Sequence, residues 1–418
     1  MTRIAKTLAL MTPLLFIGCG GGSSSSGTID EGLKGGKLVV DFSPSSMKNM
    51  LVEKRFITEE TEVFGYKAYS IPYITTDEEG EDVNVSGLFV IPTGMPSAIN
   101  NIGFSMVSDS HGTIFKNSNA PTVYAEDYGM PEGSPILFTA IGGFATLQAD
   151  YIGFGNSDKH YHPYMLKESL ANATIDFIKQ VKIFAKENNI KLNQQLFLTG
   201  YSEGGYTTMA TLKKIEEEEI DLDITMAIPM ASAGFSMLRV SENMLLQEKL
   251  VVPAMVANLV YAYSIAYNKD VGLLINEPYA SRLPTLFNGT KSMQEIDANL
   301  TTVIKGKDGF FKEDAVQEYL ENDTHWYKEA LRENSVDDWI PQTAVGFLHC
   351  EGDEITPFSE SNMTFHHMKD RGAENIEMIS LEKRVGISKK LTHMECAIPS
   401  YKLVTEMFAD IRKTTIGY

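Results

Sequence analysis

Cysteine is scarce in this chain. Three among 418 residues cannot build a disulfide scaffold. Beyond the N-terminus no apolar run approaches the roughly 18 residues of a membrane-spanning helix. Positive charge is also in short supply: Lys and Arg number 36 against 55 Asp and Glu, giving a formal charge of −19 and a pI near 4.9. So acidic a surface repels phosphate backbones and argues against a nucleic-acid partner. Glycine (33) and proline (16) are too few for a collagen-like or low-complexity chain. What is present is ordinary globular composition, 43% hydrophobic and 22% charged, with no internal repeat. At about 150 residues per domain the length suggests two or three domains.

The first residues read as an address. Arg3 and Lys6 precede an apolar stretch from Leu8 to Ile17, the layout of a secretory signal. The stretch closes with Leu15-Phe16-Ile17-Gly18-Cys19, followed by Gly20-Gly21-Gly22 and Ser23 to Ser26. This resembles a bacterial lipobox, in which the Cys is lipidated and becomes the new first residue. Gly/Ser-rich segments behave as flexible tethers. The resemblance implies a signal peptide over 1–18, lipidation at Cys19, a tether over 19–36 and an exported, lipid-anchored protein of the cell envelope. Gly20 rather than Asp after the Cys points to the outer membrane. The alternative is a plain signal peptide with an incidental Cys. Removing Arg3 and Lys6 takes the charge from −19 to −21.

Further on, strand patterns alternate with helical ones. Val83 to Ile91, Ile102 to Val107, Ala145 to Ala149, Gln195 to Thr199, Ile224 to Pro229, Ala344 to Leu348 and Ile376 to Leu381 read as strands. Ser169 to Lys186 carries Leu170, Ala173, Phe177, Ile178, Val181 and Phe184 at helical spacing. Thr207 to Ile215 and Ser400 to Ile411 are the other clear helices, and residues 37–82 read as an N-terminal strand and turn extension. Strands separated by helices imply an α/β fold with a mainly parallel sheet covered on both faces.

One motif dominates. Gly200-Tyr201-Ser202-Glu203-Gly204 is G-x-S-x-G, and a further glycine follows. It sits between an apolar run and a helical pattern, as a tight strand-to-helix turn requires. Such a turn strains the Ser backbone and exposes its Oγ above the sheet. A Cβ on the flanking glycines would collide with neighbouring backbone. The following helix offers free N–H groups and its positive end. The ordinary alternative is a glycine-rich turn with a surface Ser.

A nucleophilic Ser needs a base, and the base an orienting acid. Asp353 lies just past the Ala344–Leu348 strand, and His393 past the Ile376–Leu381 strand, in the loop before the last helix. Glu351 and Glu354 are rival acids. His349, His366 and His367 are rival bases, the first at a strand end and the others in a helical segment. His160 and His162 stand two apart, a spacing that could serve a metal, but no further ligands lie nearby and loop-structural histidines beside Pro163 are the simpler reading. Glu216 to Glu219 reads as a solvated helix face. Neither metal nor cofactor is implied.

From Val83 onward the chain resembles the α/β-hydrolases, and more narrowly the bacterial relatives of the secretory lipase family that includes fungal lipase A-type enzymes. Four blocks carry the resemblance: Ser110-His111-Gly112-Thr113, Ala149 to Gly155, Gly200 to Gly205, and His349-Cys350-Glu351-Gly352-Asp353. The last departs from the usual His-Gly pair, which touches the local turn rather than the acid. The resemblance implies ester hydrolysis through an acyl-enzyme. Ser202 would attack the carbonyl, His393 take its proton and Asp353 hold the imidazole. The N–H of Glu203 would be one oxyanion donor, and Gly112 or Thr113 would supply the other. His111 reads as structural, and Asp150 and Tyr151 as pocket wall. A small-molecule or lipid ester is the implied partner. A serine peptidase with the same triad and a non-catalytic binding protein of this fold are the alternatives; the N-terminal extension is too short for a propeller.

Spacing adds two expectations. About 150 residues separate Ser202 from Asp353, where two strand–helix–strand units need roughly 60. The surplus, 235–341, is apolar and helical in pattern and reads as a lid inserted into a core of 37–234 and 342–418. Cys350 precedes Asp353 by three residues and Cys396 follows His393 by three. In this fold those two loops must meet, so a Cys350–Cys396 disulfide is expected in an oxidising compartment. Two buried free thiols are the alternative.

Overall fold

The computed structural model describes residues 33–54, 56–129, 133–232 and 234–417. The segment read as a signal peptide, Cys19 and residues 20–32 of the stretch read as a tether lie outside the described residues. Nine strands form one sheet among those described: β1 (Lys37–Phe42), β2 (Gly65–Thr76), β3 (Asp82–Thr93), β4 (Phe104–Ser110), β5 (Ala145–Ala149), β6 (Leu192–Tyr201), β7 (Met226–Met230), β8 (Val345–His349) and β9 (Ile376–Ser380). Their spatial order is β1-β2-β3-β5-β4-β6-β7-β8-β9. The run from β5 through β4 to β9 is parallel; β1, β2 and β3 extend it antiparallel. The N-terminal extension is therefore two strands of the sheet with the helix Pro44–Glu53 between them, more structure than the sequence pattern showed.

Alternation within each strand divides the core between two faces. In β6, Leu196 and Leu198 join Phe177, Phe184, Met209 and Leu212 on one face. Phe197 points the other way, to Phe138, Val404 and Phe408. The first layer is the long helix Lys167–Glu187 and the helix Glu203–Glu217; the second includes His393–Ile416. A sheet buried on both faces explains why its central strands read as continuous apolar runs.

Between β7 and β8 the chain is mainly helical, through Met237–Leu245, Pro253–Ala266, Tyr279–Leu286, Met293–Asp297, Glu313–Glu321 and Trp326–Glu333. Leu250, Ala257, Val260 and Tyr263 belong to the same buried cluster as the sheet. Polar ties also join this segment to the core. The Tyr206 hydroxyl donates to the Asn334 carbonyl at 2.7 Å, and Arg239 pairs with Glu360 at 2.9 Å. Glu216, read as a solvated residue, instead accepts the N–H groups of Gln342 and Thr343 at 2.9 Å where the chain returns to β8. Among the described residues no helix is long and apolar enough to cross a membrane.

The strand order reverses between β4 and β6. In open α/β sheets the crevice outside the strand ends at such a switch point is where ligands bind. Ser110-His111-Gly112 leaves β4 at that point, and Ser202 leaves β6 beside it.

Candidate active site

Ser202 follows directly on β6 and precedes the helix Glu203–Glu217. Its φ is 61° and ψ −117°, a sparsely populated conformation for a residue with a side chain. Such strain costs on the order of 1–3 kcal/mol and persists only where the surroundings impose it. Here the Ser202 N–H donates to the Met230 carbonyl at 2.9 Å, and its carbonyl accepts from Gly205 and Tyr206. A Cβ on Gly204 would overlap the carbonyl oxygen of Ser110. Gly204→Ala is therefore expected to lower both melting temperature and kcat by forcing the β4 loop away from the turn, since overpacking of this kind costs about 1–3 kcal/mol. Thermal melts and initial rates on the purified variant check this.

Gly112 lies against the same turn. A Cβ there would sit 3.0 Å from the Tyr201 carbonyl oxygen and 3.7 Å from Ser202 Cβ. The N–H groups of Glu203, Gly112 and Thr113 have no protein acceptor among the described residues. One of these donors opens the helix that follows Ser202, and two lie on the loop after β4, where Gly112 approaches Ser202.

Asp353 and His393 meet directly. His393 Nδ1 lies 2.7 Å from Asp353 Oδ2, with both side chains buried. The other carboxylate oxygen accepts the N–H groups of Ile355 at 3.1 Å and Thr356 at 2.8 Å. Burial opposes the charge on Asp353, but hydrogen bonds from His349 and His393 outweigh it and hold the carboxyl well below the usual carboxylate range. An anionic partner fixes the proton on Nδ1 and leaves Nε2 of His393 as the basic nitrogen. Ser202 Oγ makes no hydrogen bond to His393. The adjoining residue makes the link. Tyr201 donates its hydroxyl to the His393 carbonyl at 2.6 Å, and the two rings lie 5.0 Å apart.

His393 is the first residue of the helix His393–Ile416, not a loop residue. The sequence carries the signal for this start: Thr392 and Glu395 form a capping box, Ser/Thr-x-x-Glu, with both reciprocal bonds made. The rival histidines and carboxylates take other positions. His349 is fully buried, with Nε2 2.6 Å from the Thr356 carbonyl and 3.3 Å from Asp353, so it backs the Asp353 carboxylate. Glu354 accepts the His393 N–H at 3.0 Å, and Glu351 pairs with Lys383. His366 and His367 lie on the helix Phe358–Asp370.

Two features around Asp353 and His393 escaped sequence reasoning. Buried Glu382 accepts the N–H groups of Glu351 and Leu391, each at 3.0 Å, and so ties one loop to the other. Thr356 sits 3.0 Å from Asp353 and 3.1 Å from His393. Neither belongs to a motif, because both contacts join segments distant in the chain or lie within an irregular turn. Cys350 and Cys396 are bonded to each other, with Cα atoms 6.1 Å apart.

The Asp150 carboxylate, read as pocket wall, is buried and accepts from Ser86 and Thr122, each at 2.5 Å. Burial raises its pKa to about 6. A cavity walled by Met244, Leu245, Leu274, Phe311, Val316 and Tyr319 lies within the helical segment; it includes none of Ser202, Asp353 and His393.

The sheet, its switch point and the turn at Ser202 are those of the α/β-hydrolase fold. Solved structures agree on the fold. A candidate hydrolase from Legionella pneumophila is 21% identical, with a TM-score of 0.75, over 91% of this chain and 98% of its own. The rice cell wall degrading esterase LipA from Xanthomonas oryzae is 19% identical, with a TM-score of 0.73, over 91% and 96%. Lipase A from Candida antarctica is 14% identical, with a TM-score of 0.57, over 81% and 74%. The model of the prolyl oligopeptidase family (Peptidase_S9) matches residues 134–218. No curated protein sequence matches this chain.

Proposed function

We propose that this protein is a serine hydrolase of carboxylic esters, with Ser202 as nucleophile, His393 as base and Asp353 as orienting acid. The observation that carries the reading is the buried 2.7 Å contact between His393 and Asp353 at the sheet edge where Ser202 is held at positive φ. In this reading Ser202 Oγ adds to the ester carbonyl as its proton passes to His393 Nε2. The tetrahedral oxyanion is received by the N–H of Glu203 and by that of Gly112 or Thr113. Collapse expels the alcohol with the proton from His393, and water then repeats the sequence on the acyl-enzyme.

The helical segment 235–341 would be the lid that shapes the acyl pocket. Its contacts support this: the Gly289 carbonyl accepts the Asn117 N–H at 2.8 Å, and Phe287 packs 6.1 Å from Phe115 on the loop after Thr113. The names of the esterase and lipase structures above support an ester substrate. The prolyl oligopeptidase match favours a second reading, a serine peptidase, but it covers the segment around the nucleophile turn that both classes share. Turnover of a short-chain nitrophenyl ester against aminoacyl-naphthylamides separates the two. No turnover of either would leave the third reading, a binding protein without catalysis.

The proposed setting is the cell envelope, with the chain exported and anchored by a lipid on Cys19. Cys19→Ser is expected to move the protein from the membrane fraction to the soluble one with its activity intact. Fractionation and mass analysis of the mature N-terminus check this, and an N-terminus other than lipidated Cys19 defeats it.

A further inference from the structure

Glu203 follows Ser202, and its side chain is fully shielded from solvent. Carboxylates are seldom buried so completely without a partner that answers their charge. Its Oε1 lies 2.8 Å from Nε2 of His162. His162 Nδ1 lies 2.9 Å from the Ile152 carbonyl oxygen. A carbonyl only accepts, so Nδ1 carries a proton. The contact to Glu203 needs one more, either on Nε2 or on the carboxyl. Both arrangements leave the pair neutral overall. The second oxygen, Oε2, is buried with no hydrogen-bond partner among the described residues, so the bond to His162 is what the carboxyl group depends on.

The same short segment also holds the loop after β4. The His162 ring stacks on Tyr151 at 6.0 Å. Tyr151 in turn lies 4.1 Å from the His111 ring and donates to the His111 carbonyl at 3.3 Å. Tyr164, two residues after His162, shares a hydrogen bond of 3.0 Å with Thr113. One loop thus braces both sides of the space above Ser202: the first residue of the nucleophile helix and the Gly112–Thr113 loop.

We propose that His162 and Glu203 form a positioning pair for the oxyanion hole, an inference that rests on the esterase reading above. The pair sets the Glu203 N–H against those of Gly112 and Thr113. It also neutralises a carboxylate that would otherwise oppose the negative charge developing beside Ser202.

The test uses the mature chain and its variants E203A, E203Q and H162F, assayed with nitrophenyl butyrate and inhibited by an alkylboronic acid. The inhibitor mimics the tetrahedral state: Ser202 Oγ adds to boron as its proton passes to His393. E203A and H162F are expected to lower kcat on the order of 10²-fold, the scale of a misplaced reacting group, with KM within about threefold. Boronate affinity should fall by the same factor as kcat. E203Q should recover about tenfold of the loss in E203A, because an amide can donate to or accept from His162 wherever its proton sits. The proposal is overturned if KM alone changes, if kcat falls while boronate affinity stays, or if E203Q is as poor as E203A. H162F and E203Q keep the test decisive if E203A does not fold. A wild-type chain without ester turnover would defeat the esterase reading, and this role with it; a failure of the pair alone appears only against an active wild type.

Discussion

Ser202→Ala and His393→Ala are each expected to lower kcat/KM for a short-chain nitrophenyl ester by about 10⁵–10⁶-fold, because members of such a triad act as a unit. Ser202→Ala should move the melting temperature little, whereas His393→Ala takes a hydrogen bond from the buried Asp353 carboxylate and should lower it. Asp353→Asn is expected to lose less, about 10⁴-fold, and the structure gives the reason. One carboxylate oxygen of Asp353 already accepts two N–H groups, from Ile355 and Thr356. An asparagine would keep its oxygen there and turn its NH₂ towards His393 Nδ1. The imidazole would then carry its proton on Nε2 and could not take the one from Ser202. A fluorophosphonate label mapped by mass spectrometry tests the nucleophile directly; labelling of any other serine would sink the assignment.

The second large effect concerns the bond between Cys350 and Cys396. It closes a sequence separation of 46 residues, for which the chain-entropy model gives about 4 kcal/mol of stabilisation. Replacing both cysteines by alanine is therefore expected to lower the melting temperature markedly. It should also lower kcat more than it raises KM. The two cysteines flank Asp353 and His393 at three residues each, so the bond clamps the acid loop to the first turn of the base helix. Glu382, which spans the same two loops, should keep part of the activity alive. Non-reducing peptide mapping of the purified protein, with melts under reducing and oxidising conditions, decides this; free thiols under oxidising conditions would end the idea.

Much of the site was legible because its chemistry is local. The turn at Ser202 needs glycine on both sides and a strand before and helix after it, and all of these lie within a few residues. That Asp353 and His393 could meet was legible by a weaker signal, position just past strands that end at one edge of the sheet. Placing His393 in a loop missed the capping box at Thr392, whose polar pattern competes with the apolar spacing used to find helices. His162 read as a loop histidine, and it is one. That it faces Glu203 could not be read, since 41 residues separate them and nothing in either segment names the other. The partners of Asp150 could not be read for a related reason: Ser86 and Thr122 are distant in the chain, and polar residues of that kind carry no signature of their own.

The amino-acid order alone determined the α/β class, the strand-to-helix turn at Ser202 and the candidate residues around it, because strand period, helix period and glycine sterics act between near neighbours. The tertiary structure decided which groups meet: His393 with Asp353, His349 behind the acid, Glu382 between two loops, and His162 against Glu203. Those contacts depend on how nine strands are ordered and where their ends fall, and that ordering is settled by packing both faces of the sheet at once rather than by any segment of the chain.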